Sequence, residues 1–284
     1  MKNTNHSLFD KYEMIKDLGT GSSGSVTLVR HISMDQERAL KKVPKASAFA
    51  ESALSEARLL KSLEHPSIPR IFDFEDDDAF YYIVEEYIDG ETLDSFLLHQ
   101  QLISPGLFFN ICEQLCNVFI YLHTQISTPI IYRDLKPEHI IVCHNKLKLI
   151  DFGVSAYVIQ DGNNFNHYGN IEFSAPECFT EDTITPAADI YSLGQLLQYI
   201  LTFTPNSFSH KFQHIIQKAT TSDASLRYVT VAELYQEIQE IQKLTGQPHL
   251  IHKIAVLGTE AAAPPTWPFH SPANSISLDI MVST

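Results

Sequence analysis

The reading of the fold turns on IIYRDLKPEHIIVCHNKLKLIDFG, residues 130–153. Its two aspartates, Asp134 and Asp151, stand 17 residues apart, and each opens a patterned run: Asp134-Leu135-Lys136-Pro137-Glu138 and Asp151-Phe152-Gly153. Short strand-like segments at 140–143 and 147–150 lie between them. His139 stands five residues after Asp134. Whether the chain is a working enzyme turns largely on that residue.

Upstream, residues 12–43 read as strand, glycine turn, strand, strand, in YEMIKDL, GTGSSG, SVTLVRHIS and ERALKKV. SALSEARLLKSLEH follows with helical periodicity and is closed by Pro66. Two more strands are predicted around the acidic turn at 75–78, where Asp76, Asp77 and Asp78 read as a solvated hairpin tip rather than a cation site. After IDGETL the character changes to helices, at 92–100, 105–124, 186–203, 209–220 and 230–243. The expectation is an α+β protein with a strand-rich small lobe at 10–87, a helix-rich large lobe at 88–243 and a cleft between them.

The 284 residues are enough for a sizeable core, and 44% hydrophobic with 19% charged residues is ordinary for a globular protein. A net charge of −14 argues against a nucleic-acid or anionic-membrane partner. It does not exclude a nucleotide, which local lysines and backbone N–H groups can bind. No apolar stretch is long enough to span a bilayer, and the first 19 residues have no signal core. Cys112 and Cys116 are four apart on a predicted helix, so they share a face as small buried hydrophobes; no cysteine pair has metal spacing. A reducing cytoplasm is the expected location.

LGTGSSGSV, from Leu18, supplies Gly19, Gly21 and Gly24, whose missing Cβ atoms let backbone N–H groups approach phosphate oxygens. A dinucleotide-binding turn shares this spacing but needs a helix directly after the third glycine. SVTLVR is β-branched and alternating, so a hairpin over phosphates fits better. Lys41 on the next strand is the candidate phosphate cation, and Glu56 on the following helix can pair with it.

Together these residues resemble a eukaryotic-type serine/threonine protein kinase over roughly 10–243, in the compact bacterial form. The matching set is Gly19-x-Gly21-x-x-Gly24-x-Val26, Ala39-Leu40-Lys41, Glu56, Tyr132-Arg133-Asp134, Lys136, Asp151-Phe152-Gly153, Ala175-Pro176-Glu177, Asp189 and Arg227. The resemblance implies a bilobal kinase fold and transfer of the γ-phosphate of ATP to protein hydroxyls, with Mg2+ as metal. It makes Asp134 the base, Lys136 the cation beside the γ-phosphate and Asp151 the metal ligand. Adenine would lie against Val26, Ala39 and Ile141, with backbone hydrogen bonds at Glu86 and Ile88. The resemblance also implies a stack of Leu60, Ile71, Tyr132 and Phe152 anchored by Asp189, and a structural Glu177–Arg227 pair.

Several positions depart from the family. His139 stands where it has a metal-binding asparagine, and imidazole suits manganese better than magnesium. Weak one-metal activity, a shift toward Mn2+, or a nucleotide-binding pseudokinase acting as a switch all remain open at this point. Glu85 occupies the gatekeeper position; it must find a partner, stay solvated or carry a raised pKa, and the plain expectation is an outward tilt. Asn166 replaces the usual phosphothreonine of the activation segment, and Asn170 replaces the threonine that contacts Asp134 and Lys136. Arg133 would ordinarily clamp that phosphorylated segment.

Residues 244–284 lie beyond the resemblance. IHKIAVLGTE reads as a strand entering a new α/β unit, then AAAPPTWPFH breaks the pattern. Read back one base, the codons for that run permit Gly-Ser-Gly-Thr-Thr-His-Leu-Ala-Leu, which resembles a P-loop entering a helix. The tail is therefore expected to be poorly ordered, either as a frameshifted remnant of a P-loop domain or as a plain terminus.

Overall fold

The computed structural model describes residues 8–21, 24–157, 170–180 and 184–246. In the small lobe a four-residue helix, α1 (Leu8–Lys11), runs directly into β1 (Tyr12–Gly21). β2 (Gly24–His31), β3 (Gln36–Pro44), β4 (Ile71–Asp76) and β5 (Phe80–Glu86) complete an antiparallel sheet of order β1-β2-β3-β5-β4. The helix α2 (Ala50–Lys61) is inserted between β3 and β4. Alternation along β3 sends Leu40 into a cluster with Leu8, Tyr12, Val29, Tyr82 and Val84 on one face, and Val43 against Ala53, Ala57 and Ile83 on the other.

The lobe extends further N-terminally than residue 10, where the sequence reading began it. Leu8 is fully buried, and its N–H donates to Glu75 Oε2 at 2.7 Å. A helix this short has no periodicity to read, and tertiary contact alone supports it. At the tip between β4 and β5, Asp77 accepts the N–H groups of Ala79 and Phe80 and the hydroxyl of Tyr82, as a solvated hairpin tip should.

The large lobe contains β6 (Glu91–Thr92), α3 (Leu93–Gln100), α4 (Pro105–Ile120), β7 (Ile130–Ile131), β8 (Ile140–Cys143), β9 (Lys146–Leu149), β10 (Ala156–Tyr157), α5 (Ala187–Leu201), α6 (Asn206–Ser209), α7 (Gln213–Ala219) and α8 (Val231–Leu244). Thr92, Ser104 and Thr230 accept hydrogen bonds from the first turns of α3, α4 and α8. The helix predicted at 105–124 ends as α-helix at Ile120 and widens into a π turn over Tyr121–Gln125. The one predicted at 209–220 starts at Asn206 and is broken by a 3-10 turn at His210–Phe212. Phe208 and Phe212 both pack edge-on against Phe108, at 5.5 and 4.9 Å, and that aromatic packing coincides with the break. Cys112 and Cys116 are buried and free on α4, as small hydrophobes. Residues 247–284, with the expected P-loop remnant, and Asn166 lie outside the described residues.

The lobes share one core. Leu59, Leu60, Leu63 and Ile68 belong to the same buried cluster as Phe108, Leu115, Tyr132 and Phe152. Two bonds seal this junction: Leu149 N–H to Ser67 C=O and Glu64 N–H to the Tyr121 hydroxyl, each at 2.8 Å. Deeper in the large lobe, the fully buried Arg227 side chain forms a fork with Glu177, Nη1 to Oε1 at 2.5 Å and Nη2 to Oε2 at 2.8 Å. Its other N–H groups donate to the carbonyls of Thr221, Ser222 and Ala187. Arg227→Met strands the Glu177 carboxylate in that interior, so it is expected to lower unfolding stability in urea by about 3–5 kcal/mol.

Candidate active site

Residues Ala39 and Lys41 lie two apart on β3 and so project to the α2 side of the sheet, where Glu56 waits on α2. Lys41 Nζ meets Glu56 Oε2 at 2.7 Å, and Glu56 Oε1 accepts the N–H of Phe152 at 3.0 Å. Burial by itself would lower the pKa of Lys41, but the carboxylates of Glu56, Glu85 and Asp151 outweigh it and hold the ammonium charged. One carboxylate thus links strand, helix and the Asp151 loop.

The loop carrying Asp134 hangs from the start of α5. Asp189 is fully buried there and accepts the N–H groups of Tyr132 and Arg133, both at 2.9 Å, and His123 Nε2 lies at 2.8 Å. Tyr132 packs edge-on against Phe152 at 5.1 Å and donates its hydroxyl to Ile150 C=O. Leu60 lies in the same buried cluster as Tyr132 and Phe152, and Ile71 packs against that cluster. Arg133 is buried, with positive φ, and donates to Val154 C=O at 3.4 Å.

Four side chains converge beside this loop. Lys136 Nζ lies 3.3 Å from Asp134 Oδ2. The buried imidazole of His139 bridges the two aspartates, with Nδ1 at 3.4 Å from Asp134 Oδ2 and Nε2 at 3.5 Å from Asp151 Oδ2. Nδ1 also lies 3.0 Å from the carbonyl of Asp134, which can only accept, so that nitrogen carries the hydrogen. In the neutral ring Nε2 then presents a lone pair beside the Asp151 carboxylate. A nitrogen and a carboxylate so placed fit manganese or a later transition ion better than magnesium. Among the described residues no group of three or more His, Cys, Asp or Glu could hold a metal alone.

Over the site, β1 and β2 pair with Gly19 opposite Val26 and Gly21 opposite Gly24; Leu18 is half-buried. A Cβ on Gly24 would lie 2.1 Å from Lys42 O, and its φ is +146°, so glycine is required there. The strand after Gly24 removes the dinucleotide alternative. Val26 pairs with Lys41, which puts it on the same sheet face as Lys41 and Ala39, and Ile141 is buried on β8 in the other lobe. Glu86 and Ile88 lie where β5 gives way to the segment between the lobes.

Glu85 corrects one expectation. Its register partner is Ala39, so it lies on the cleft face of the sheet rather than tilting outward. Burial pushes its pKa up to about 7; Lys41 opposes the rise, and Glu56 and Asp151 add to it. Asn170 Oδ1 accepts the N–H of Glu172 at 2.9 Å. Two contacts were not foreseen. Lys148 Nζ pairs with Glu86 Oε2 at 2.7 Å behind the inter-lobe segment, and Ser52 Oγ donates to Gly153 C=O at 2.7 Å. The alternation of KLKL and the four-residue step from Ser52 to Glu56 were the available signals; neither names its partner.

Residues 12–260 match the protein kinase domain family, and the chain belongs to it. It is 28% identical over 264 residues to serine/threonine-protein kinase PrkC of Bacillus subtilis, covering 81% of this chain and 40% of that protein. Serine/threonine-protein kinase PknB of Mycobacterium tuberculosis is 26% identical over 280 residues, 85% of this chain and 44% of its own length. Serine/threonine-protein kinase ppk25 of Schizosaccharomyces pombe is 33% identical over 188 residues, 64% of this chain and 44% of its own. The chain thus spans less than half the length of these relatives. No helix among the described residues is long and apolar enough to cross a membrane.

An acid whose folded pKa lies above its unfolded one keeps its proton in the folded state between the two, so stability falls as pH rises from 4.5 toward about 7. Glu85→Gln lacks this component. Its thermal stability relative to the unsubstituted protein is expected to grow across that window by on the order of 2 kcal/mol. A difference that stays constant with pH would show that Glu85 does not titrate there.

Proposed function

We propose that this chain is an ATP-dependent serine/threonine protein kinase that transfers the γ-phosphate to protein hydroxyls. The observation that carries the reading is the Glu56 carboxylate, paired with Lys41 at 2.7 Å while it grips Phe152 N–H at 3.0 Å. This is the assembled arrangement that phosphoryl transfer by a kinase requires. Lys41 binds phosphate oxygens, and the Gly19–Gly24 hairpin covers them. Asp134 accepts the proton of the substrate hydroxyl, and Lys136 beside it offsets charge at the γ-phosphate. Adenine rests between Val26, Ala39 and Ile141, bonded to the backbone at Glu86 and Ile88. Asp151, with His139 as second ligand, would hold a divalent ion, and that ion would supply charge neutralisation at the phosphates. Mn2+ suits that pair better than Mg2+.

The names of the relatives support serine/threonine specificity, as does Lys136 two residues after Asp134. The acidic charge speaks against nucleic-acid and anionic-membrane partners, and the free cysteines suit a reducing cytoplasm. The competing reading is a pseudokinase that binds nucleotide without transfer; His139 is the feature that suggests it, and the intact set of Lys41, Asp134, Lys136 and Asp151 argues against it.

The test is phosphate transfer from ATP to a generic protein acceptor and to the chain itself, in Mg2+ and in Mn2+. Asp134→Asn is expected to reduce transfer at least about 100-fold, and Mn2+ to support the faster rate. Nucleotide binding without transfer in either metal sinks the enzyme reading. His139→Asn is expected to raise the Mg2+ rate relative to the Mn2+ rate; an unchanged ratio would remove the imidazole from the metal site.

A further inference from the structure

The Asp151 loop is gripped twice by α2. Ser52 and Glu56 stand four residues apart and therefore share a face of that helix. Glu56 Oε1 takes the N–H of Phe152 at 3.0 Å, and Ser52 Oγ donates to the carbonyl of Gly153 at 2.7 Å. Ser52 lies in the first turn of α2, so no earlier turn of the helix offers its hydroxyl a carbonyl, and it bonds a residue 101 positions away.

The bonded group leads straight to the metal ligand. Gly153 N–H donates to Asp151 Oδ1 at 3.3 Å, so this glycine is held at one end by the aspartate carboxylate and at the other by the serine hydroxyl. Its α-carbon is tightly enclosed: a Cβ there would lie 3.2 Å from Asp151 Oδ1 and 3.3 Å from Ser52 Oγ. Asp151 itself has φ +62°, a left-handed conformation that a non-glycine residue keeps only when its surroundings enforce it.

We propose that Ser52 is a positioning residue, whose hydroxyl orients the Asp151 carboxylate toward the nucleotide-bound metal by fixing the Gly153 peptide. The inference rests on the kinase reading of the site and adds to it a coupling between α2 and the metal ligand through a neutral hydrogen bond. Helix position and metal affinity are therefore linked: when α2 moves away from the sheet, Lys41 loses Glu56, and the Asp151 loop loses both of its grips at once.

The test is calorimetric titration of a non-hydrolysable β,γ-imido analogue of ATP, with and without Mn2+, on the unsubstituted chain, Ser52→Ala and Ser52→Thr. For Ser52→Ala the analogue is expected to bind about fivefold more weakly in Mn2+, the loss of one neutral hydrogen bond. Metal-free affinity should stay within about twofold, because no contact to the nucleotide itself is removed. Ser52→Thr keeps the hydroxyl and is expected to restore the metal-dependent gain. A purely structural role predicts no such loss, since alanine is the stronger helix former. The proposal is overturned if Ser52→Ala keeps the full metal-dependent gain, or if the unsubstituted chain shows none. A chain that binds with that gain yet transfers no phosphate refutes the kinase reading, while the role of Ser52 is still read from binding.

Discussion

The carboxylate of Glu56 is shared between two partners that come from different parts of the fold. One oxygen faces the ammonium of Lys41, and the other takes the backbone N–H of Phe152. A buried carboxylate is tolerated only where charge and hydrogen bonds replace its lost water, so each partner keeps the other in place. Lys41 needs the sheet, Glu56 needs α2 docked beneath it, and Phe152 needs the loop between the lobes. The lysine and the loop can therefore reach their working positions only together.

A second anchor plays the same part for the loop that carries Asp134. Asp189 lies at the start of α5 and has no solvent exposure, yet its oxygens are taken up by Tyr132 N–H, Arg133 N–H and His123. The loop that carries Asp134 and Lys136 is thus hung from a helix of the large lobe. His139 crosses the remaining gap, with Nδ1 3.4 Å from Asp134 Oδ2 and Nε2 3.5 Å from Asp151 Oδ2. The residue that departs most from the family thus lies between the two carboxylates, with a ring nitrogen beside Asp151.

Much of this was legible in the chain. Alternation in SVTLVR and ERALKKV marks the sheet, and the step from Gly24 into a strand instead of a helix separates this site from a dinucleotide fold. The spacing of Lys41, Glu56, Asp134 and Asp151 marked the candidate site through the family they resemble. Less legible were elements that owe their existence to distant contacts. Helix α1 is stabilised by Glu75 and the sheet face, the 3-10 break at His210–Phe212 accompanies packing on Phe108, and the cleft-facing register of Glu85 follows from pairing with Ala39. None of these leaves a periodic signal in its own residues.

Residue type and spacing carry period, charge and turn chemistry, so the two lobes and the family could be read from the chain alone. What each side chain faces came from the packing of the folded protein. Ser52 on the Gly153 carbonyl, Lys148 on Glu86 and the imidazole of His139 between two aspartates are contacts across five to more than a hundred residues. A side chain names the bonds it is able to make, and the packing of the whole chain selects the partner that makes them.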